Sequence, residues 1–280
     1  MTRSEAYQYG IQMLKDVGIQ EASLDAWILF EEATQVTRAA YYADADKVIG
    51  EDDERQYIQW LNKRALREPL QHILGFQEFM GLKFFVTPDV LIPRQDTETL
   101  VEYTETLLRE SNTSKTILDM CTGSGCILLS LMKRNQGIHG TAADISKEAL
   151  EVAKKNAKEL GVTAEFVQSD LFANVEHTYN MIVSNPPYIR ENEIKELETE
   201  VRMFDPFIAL SGGEDGLRFY QNIIDEGRNY LIHGGSLILE IGCEQANDVR
   251  ELMKLHGFEK IKVVKDLAGL DRIVHGVYNK

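Results

Sequence analysis

Four consecutive residues, Asn185-Pro186-Pro187-Tyr188, follow the apolar run 181–184 and combine a side-chain amide, two fixed φ angles and an aromatic ring. Two prolines remove two backbone donors, so the chain can neither continue as a central strand nor turn straight into a helix. The expected form is a stiff, extended corner at the carboxyl end of a strand. Oxygen acceptors at such a corner take the hydrogens of a small planar group carrying an NH2, and the Tyr188 ring covers its face. Read blandly, the same residues are a polar loop after a buried strand. Asn before the prolines and Tyr after them favour a site.

A second cluster lies upstream. Asp119-Met120-Cys121-Thr122-Gly123-Ser124-Gly125 closes a strand expected at 116–120 and opens a helix expected at 125–134. Gly123 and Gly125 let the backbone turn tightly against a ligand, and the helix start offers free N–H groups. The next strand ends in Asp144, whose carboxylate can accept both ribose hydroxyls of an adenosine. A dinucleotide site wants a small third residue in this loop, and Leu128 stands there instead. Asp119 would face a pyrophosphate badly but could meet an ammonium. A zwitterionic amino-acid tail on adenosine, which is S-adenosylmethionine, therefore fits better. After a third strand, Asp170 could accept from the adenine amino group while Leu171 or Phe172 walls the ring. The bland alternative for Asp170 is a turn cap.

The elements that must hold these groups read as two kinds of chain. Residues 1–75 are helical only. Thr2 and Glu5 have capping-box spacing, and Tyr7, Ile11 and Leu14 share a face before Gly18. A helix within about 23–35 carries Leu24, Trp27 and Ile28 inward. Another, over about 51–67, buries Tyr57 or Ile58, Leu61 and Ala65, with a short helical turn over 37–42 between them. The stretch 74–91 is aromatic and broken by Gly81, as a β-hairpin would be. A helix with Leu100, Tyr103, Leu107 and Leu108 on its apolar side follows the Arg94-Gln95-Asp96-Thr97-Glu98 segment. Strands at 116–120, 139–143, 164–168, 180–184 and 236–241 then alternate with helices at 125–134, 146–160, 216–232 and 244–255, and Gly234-Gly235 turns between helix and strand. That alternation predicts a parallel sheet with helices on both faces. Two last strands, 259–264 and 272–278, have no helix between them and should form an antiparallel hairpin at one edge.

Bulk composition narrows the function. Net charge is −15, and residues 1–75 carry 8 Lys and Arg against 13 Asp and Glu, so the acidity is spread along the chain. A protein that grips a run of phosphates needs a positive face, which disfavours nucleic acid as a direct partner. The first residues carry no signal-peptide core or organelle presequence, and no apolar run reaches transmembrane length. Cys121, Cys126 and Cys243 have no metal-type spacing, so free thiols, no metal and a cytoplasmic setting are expected. Monomer is the default oligomeric state.

These residues also carry a resemblance. Asp119 to Gly125, Asp144, Gln168-Ser169-Asp170 and the Asn185 to Tyr188 corner resemble class I S-adenosylmethionine-dependent methyltransferases that methylate amino groups. Glu68-Pro69-Leu70-Gln71-His72-Ile73-Leu74-Gly75 and Leu91-Ile92-Pro93-Arg94-Gln95-Asp96-Thr97-Glu98 are similar to the HemK/PrmC family of release factor glutamine methyltransferases. The resemblance spans nearly the whole chain. It implies an α/β fold with a Rossmann-like, mostly parallel class I methyltransferase sheet and an antiparallel hairpin at its C-terminal edge. It also implies a helical substrate-recognition domain over 1–74, a hairpin linker over 75–92 and a catalytic domain over 93–280. By the same resemblance, the cofactor is held by Cys121, Thr122, Gly123, Ser124, Gly125, Asp144, Asp170 and Leu171 with Asn185, and the substrate amide by Asn185, Pro186, Pro187 and Tyr188. The implied acceptor is the glutamine of the Gly-Gly-Gln motif in peptide chain release factors. Cys121 departs from a common glycine, Leu171 from a frequent aromatic, and Gln95 from the proline that usually follows Arg94. An amino-methyltransferase acting on adenine in DNA or on an RNA base would use the same corner. A non-catalytic binding module for the translation apparatus would have no need of a nitrogen-aligning Asn185.

Overall fold

The computed structural model describes residues 1–109 and 115–280. They divide into two compact units, Met1–Gly75 with Glu198–Phe204, and Phe76–Leu197 with Asp205–Lys280.

The first unit is helical. Helix α1 (Arg3–Asp16) starts at the expected capping box: Thr2 and Glu5 each satisfy the other's backbone N–H. Helices α2 (Ala22–Thr34), α3 (Arg38–Ala43), α4 (Glu51–Ala65) and α5 (Leu70–Leu74) follow, and a short helix from later in the chain, Thr199–Phe204, completes the unit. Tyr57 and Leu61 are fully buried with Leu14, Leu29 and Phe30. On the expected face of α2, Trp27 is buried as foreseen and Ile28 is half-buried, but Leu24 is 47% exposed, while Ala22, Asp25, Ala26 and Leu29 turn inward. Asp25 is met there by Arg64 of α4, which donates to Asp25 at 2.7 Å and to Glu200 at 3.0 Å.

The second unit opens with the expected hairpin, β1 (Phe76–Phe79) and β2 (Leu82–Phe85), paired antiparallel across Met80-Gly81. Asn156, from a helix later in the chain, holds β2 by accepting from Phe85 N–H at 2.7 Å and donating to its carbonyl at 3.0 Å. Helix α6 (Glu98–Arg109) then leads to the alternating segment β3 (Lys115–Met120), α7 (Cys126–Arg134), β4 (Ile138–Asp144), α8 (Lys147–Leu160), β5 (Glu165–Gln168) and β6 (Tyr179–Ser184). After α9, the Thr199–Phe204 helix of the first unit, come α10 (Phe207–Leu210), α11 (Arg218–Gly227), β7 (Leu231–Glu240), α12 (Ala246–Leu255), β8 (Phe258–Lys265) and β9 (Asp271–Tyr278).

The seven strands are ordered β5-β4-β3-β6-β7-β9-β8. From β5 to β7 neighbours run parallel, and β9 lies antiparallel between β7 and β8. This is the mostly parallel sheet with an antiparallel C-terminal edge that the alternation predicts. The chain moves outward from β3 through β4 to β5, then returns to the other side of β3 with β6. Strand order therefore reverses between β3 and β6, where such sheets bind ligands at their carboxyl ends. Met120 and Ser184 are paired there, so the two sequence clusters emerge side by side.

One boundary differs. The helix expected to reach 232 stops at Gly227, and β7 begins at Leu231, running through Gly234 and Gly235 rather than after them. Pairing with β6 jumps from Tyr179↔Leu231 to Met181↔Ser236, so the glycines absorb extra residues as a bulge.

Candidate active site

The loop from β3 to α7 is built around a buried carboxylate. Asp119 is wholly buried, and its Oδ2 accepts from the Thr122 hydroxyl at 2.6 Å and from Leu128 N–H at 3.4 Å. Burial pushes its carboxyl up to about 7, against those two hydrogen bonds. The other oxygen, Oδ1, is buried without a hydrogen-bond partner. Cys121, Gly123 and Gly125 all take left-handed backbone angles, with φ of 61°, 55° and 80°. The loop is pinned from outside by Asn156, whose amide also donates to Ser124 carbonyl at 2.9 Å. Nothing lies within 4 Å of where a Cβ on Gly123 would stand, whereas one on Gly125 would sit 2.9 Å from Leu129 and 3.2 Å from Ala153. Gly123 thus keeps space open for a ligand, and Gly125 serves helix packing.

Asp144, at the end of β4, accepts Gly123 N–H at 2.8 Å through Oδ2 and Ser146 N–H at 3.0 Å through Oδ1. Each oxygen keeps a free lone pair, so two further hydroxyl donors can be accepted. Burial raises its pKa, opposed by these backbone N–H groups.

The proline corner leaves β6 beside this loop. The Ser184 hydroxyl donates to Met120 carbonyl, tying the two strand ends together. Asn185 is half-buried, and its Nδ2 donates to the Thr97 hydroxyl oxygen at 3.2 Å. Tyr188 packs against the core beneath the sheet end, and burial pushes its phenol up to about 12. Its carbonyl accepts from Gln245 Nε2 at 3.1 Å, the same nitrogen that donates to Gly216 carbonyl. The segment 211–216 lies flat against the corner: a Cβ on Gly216 would fall 2.6 Å from the Tyr188 carbonyl oxygen.

One cavity joins the two clusters. Cys121, Thr122, Gly123, Ser124, Asp144, Asp170, Leu171, Asn185 and Pro187 all line it. Gly125, Pro186 and Tyr188 are not on its wall. Of the two candidates for the ring wall, Leu171 faces the cavity, held at φ 46°. Phe172 is 1% exposed and stacks on Tyr230 in the core at 4.7 Å between centroids. Pro93, Arg94 and Thr97, quoted above only for the resemblance, and Ile208, Arg218 and Phe219 also line the cavity without having been expected at the site.

Glu240 is the most consequential of the missed residues. It ends β7 and is 2% exposed. Since Ser184 pairs with Leu239, the next residues, Asn185 and Glu240, leave neighbouring strands side by side. The Thr97 and Asn185 side chains stand close enough to lower the pKa of its carboxyl, but burial outweighs them and raises it to about 7. Its Oε2 is buried without a hydrogen-bond partner. A glutamate closing an apolar strand, Ser236-Leu237-Ile238-Leu239-Glu240, was the available signal.

The lining suits S-adenosylmethionine. Asp144 can take two hydroxyls, Leu171 and Ile145 offer apolar walls, and Asp89, Asp144 and Asp170 join Arg94 and Arg218 in the lining. Asp119, wholly buried, supports the loop and is not on the cavity wall. A cationic, part-apolar ligand carrying a diol and an ammonium matches that set of acceptors. Among the described residues no three metal-ligating side chains cluster.

Comparison with known proteins agrees. The family model described as the methyltransferase small domain matches residues 96–270, and that of the PrmC N-terminal domain matches 5–75. A release factor glutamine methyltransferase of Geobacter sulfurreducens is 38% identical over 264 residues, covering 94% of this chain and 92% of its own. One from Agrobacterium fabrum is 36% identical over 266 residues, covering 93% and 92%. In fold alone, a crystal structure of a methyltransferase from Pyrococcus furiosus is similar with TM-score 0.53 at 18% identity, covering 81% of this chain and 98% of that one. The chain belongs to the release factor glutamine methyltransferase family.

Proposed function

We infer that the protein transfers a methyl group from S-adenosylmethionine to the side-chain amide nitrogen of the glutamine in the Gly-Gly-Gln motif of peptide chain release factors. The observation that carries this reading is a shared cavity, in which Asn185 meets the cofactor-type loop 121–124 and Asp144. When bound, the cofactor supplies an electrophilic methyl on a sulfonium sulfur. Asp144 would hold its ribose, Leu171 and Asp170 its adenine, and the 121–125 loop its amino-acid tail.

The residues of the corner act on the substrate. An amide nitrogen is a poor nucleophile because its lone pair is delocalised into the carbonyl. Asn185 Oδ1 and the Pro186 carbonyl accept its two N–H hydrogens and turn the nitrogen toward the methyl; as the nitrogen takes the methyl, one of those hydrogens leaves as a proton through the same acceptors or water. Pro187 and Tyr188 keep the corner in shape, and the Tyr188 ring is the candidate cover for the amide plane. Fixing a reactive pair at near-attack geometry can supply up to about 7–11 kcal/mol of a barrier in favourable cases. The helical domain over 1–74 reads the release factor, residues 75–92 link, and residues 93–280 carry out transfer. The protein works as a cytoplasmic monomer without binding nucleic acid directly. Among the described residues no helix is long and apolar enough to cross a membrane.

The test is incubation with methyl-labelled cofactor and, in parallel, a release factor, duplex DNA and RNA. Label on the Gly-Gly-Gln glutamine, located by peptide mass spectrometry, is expected. Label on a nucleic-acid base instead would replace this reading with base methylation.

A further inference from the structure

The corner can work only if the Asn185 amide points one way, with Oδ1 toward the substrate and NH2 away. An amide is nearly symmetric in shape, so its own contour does not decide this; its hydrogen-bond partners must. Its Nδ2 donates to the Thr97 oxygen at 3.2 Å. A hydroxyl has one hydrogen, and Thr97 accepts from Asn185 only while that hydrogen goes elsewhere. Glu240 ends the strand beside Asn185, both side chains act on its charge at short range, and its buried Oε2 is an acceptor that no donor yet occupies, so the Thr97 hydrogen can turn to it. An ionised carboxylate can only accept, so it commits the Thr97 hydrogen to itself and draws the Asn185 NH2 inward.

We propose that Glu240, acting through Thr97, is the positioning residue that sets the orientation of the Asn185 amide and so presents Oδ1 to the substrate nitrogen. The inference rests on the methyl-transfer reading above but concerns a separate matter, the polarity of a hydrogen-bond chain running Asn185 to Thr97 to Glu240. Other groups facing Glu240 do not compete for that role. Arg272 of β9 is already paired with Asp266 at 3.0 Å and with Asp96 at 3.2 Å, and the Tyr220 hydroxyl of α11 donates to the Glu240 backbone carbonyl at 3.0 Å. Tyr188 and Cys126 are also near enough to act on its charge, and burial raises the pKa of both. Neither ionises in the working range.

Protonation of Glu240 reverses the chain. A neutral carboxyl can donate to Thr97, and Thr97 can then donate to Asn185, turning Oδ1 inward. The activity of the protein should therefore rise with pH as Glu240 ionises, with the midpoint near neutrality.

Glu240→Gln replaces a group that only accepts with an amide that can also donate to Thr97, while keeping size. Expected is a loss of kcat of tenfold or more, with the KM for release factor and the calorimetric affinity for cofactor within about threefold, and a flattened acid limb of the pH–rate profile. Thr97→Val should give the same pattern, Thr97→Ser should recover most of that loss, and the double variant should be no worse than either single one. A second readout needs no turnover: in 15N-labelled protein the Asn185 side-chain NH2, assigned by comparison with Asn185→Asp, should exchange slowly with solvent and lose that protection in Glu240→Gln. Should Glu240→Gln not fold, the Thr97→Val and Thr97→Ser pair decides on both readouts. Unchanged kcat with unchanged amide protection in a folded variant overturns the proposal. If the wild type methylates no release factor, the proposed function fails, and the amide protection still decides the orientation.

Discussion

At the scale of single residues, two side chains sit where backbone geometry resists them. Cys121 and Leu171 hold φ of 61° and 46° on the cavity wall, a conformation that costs an L-residue roughly 1–2 kcal/mol. The glycine that the family resemblance implies at position 121 would have its physical reason here. Cys121→Gly relieves that strain while loosening the unfolded chain by about 0.5–1 kcal/mol, so thermal unfolding should show stability unchanged or raised by up to about 1 kcal/mol. A clear loss of stability would mean that the thiol's packing against Met120 and its neighbours matters more than its backbone. Asn185, Asp144 and the 121–124 loop were legible because their types imply their chemistry. Glu240 and Thr97 were not: each is an ordinary residue until the strand register and the turn at 95–97 put it against Asn185.

Elements give those residues their places. The reversal of strand order between β3 and β6 makes two clusters 60 residues apart in the chain into neighbours; the alternation of strands and helices foretold the parallel sheet but not this order. The segment 189–217 was not foreseen beyond its length. It contributes two short helices, α9 and α10, whose four- to six-residue lengths leave too few turns for periodicity to register. Its glycines press against the corner, and Gln245 ties both together. Gly216→Ala tests this bracing. Its φ of 74° and the 2.6 Å approach to the Tyr188 carbonyl oxygen leave no room for a methyl group. A destabilisation of roughly 2–4 kcal/mol by chemical denaturation is expected, together with reduced transfer; a neutral result would show that the loop yields without cost. The placement of Leu24 on α2 and the start of β7 were misread for related reasons: an Asp25 paired inside the unit and a glycine bulge are tertiary features that local patterns do not encode.

On the scale of the whole molecule, two buried carboxyls leave a signature in stability against pH. Asp119 and Glu240 hold their protons to about pH 7 in the native state, against ordinary values of 3.8 and 4.5. A carboxyl whose folded pKa is raised stabilises the protein at low pH, and that stabilisation fades as pH rises through the folded value. His275 acts in the opposite sense, since burial lowers it from 6.5 to about 4, and its contribution is complete above pH 6.5. Between pH 6.5 and 8 the carboxyls therefore dominate. Denaturant unfolding of the unliganded protein should lose roughly 1–2 kcal/mol across that window, and Asp119→Asn should remove about half of the slope. A stability that rises over the same window would contradict the assignment of these two groups.

The central claim, that the corner at Asn185 serves transfer by aligning the substrate amide more than by holding the cofactor, is tested most directly by one variant and two readouts. Asn185→Ala, purified and folded, is given methyl-labelled cofactor and a release factor while its cofactor affinity is read by isothermal titration. The account predicts that transfer to the glutamine is abolished while affinity stays within a few fold of wild type. Sustained turnover, or a collapse of cofactor binding large enough to explain the loss, would contradict it.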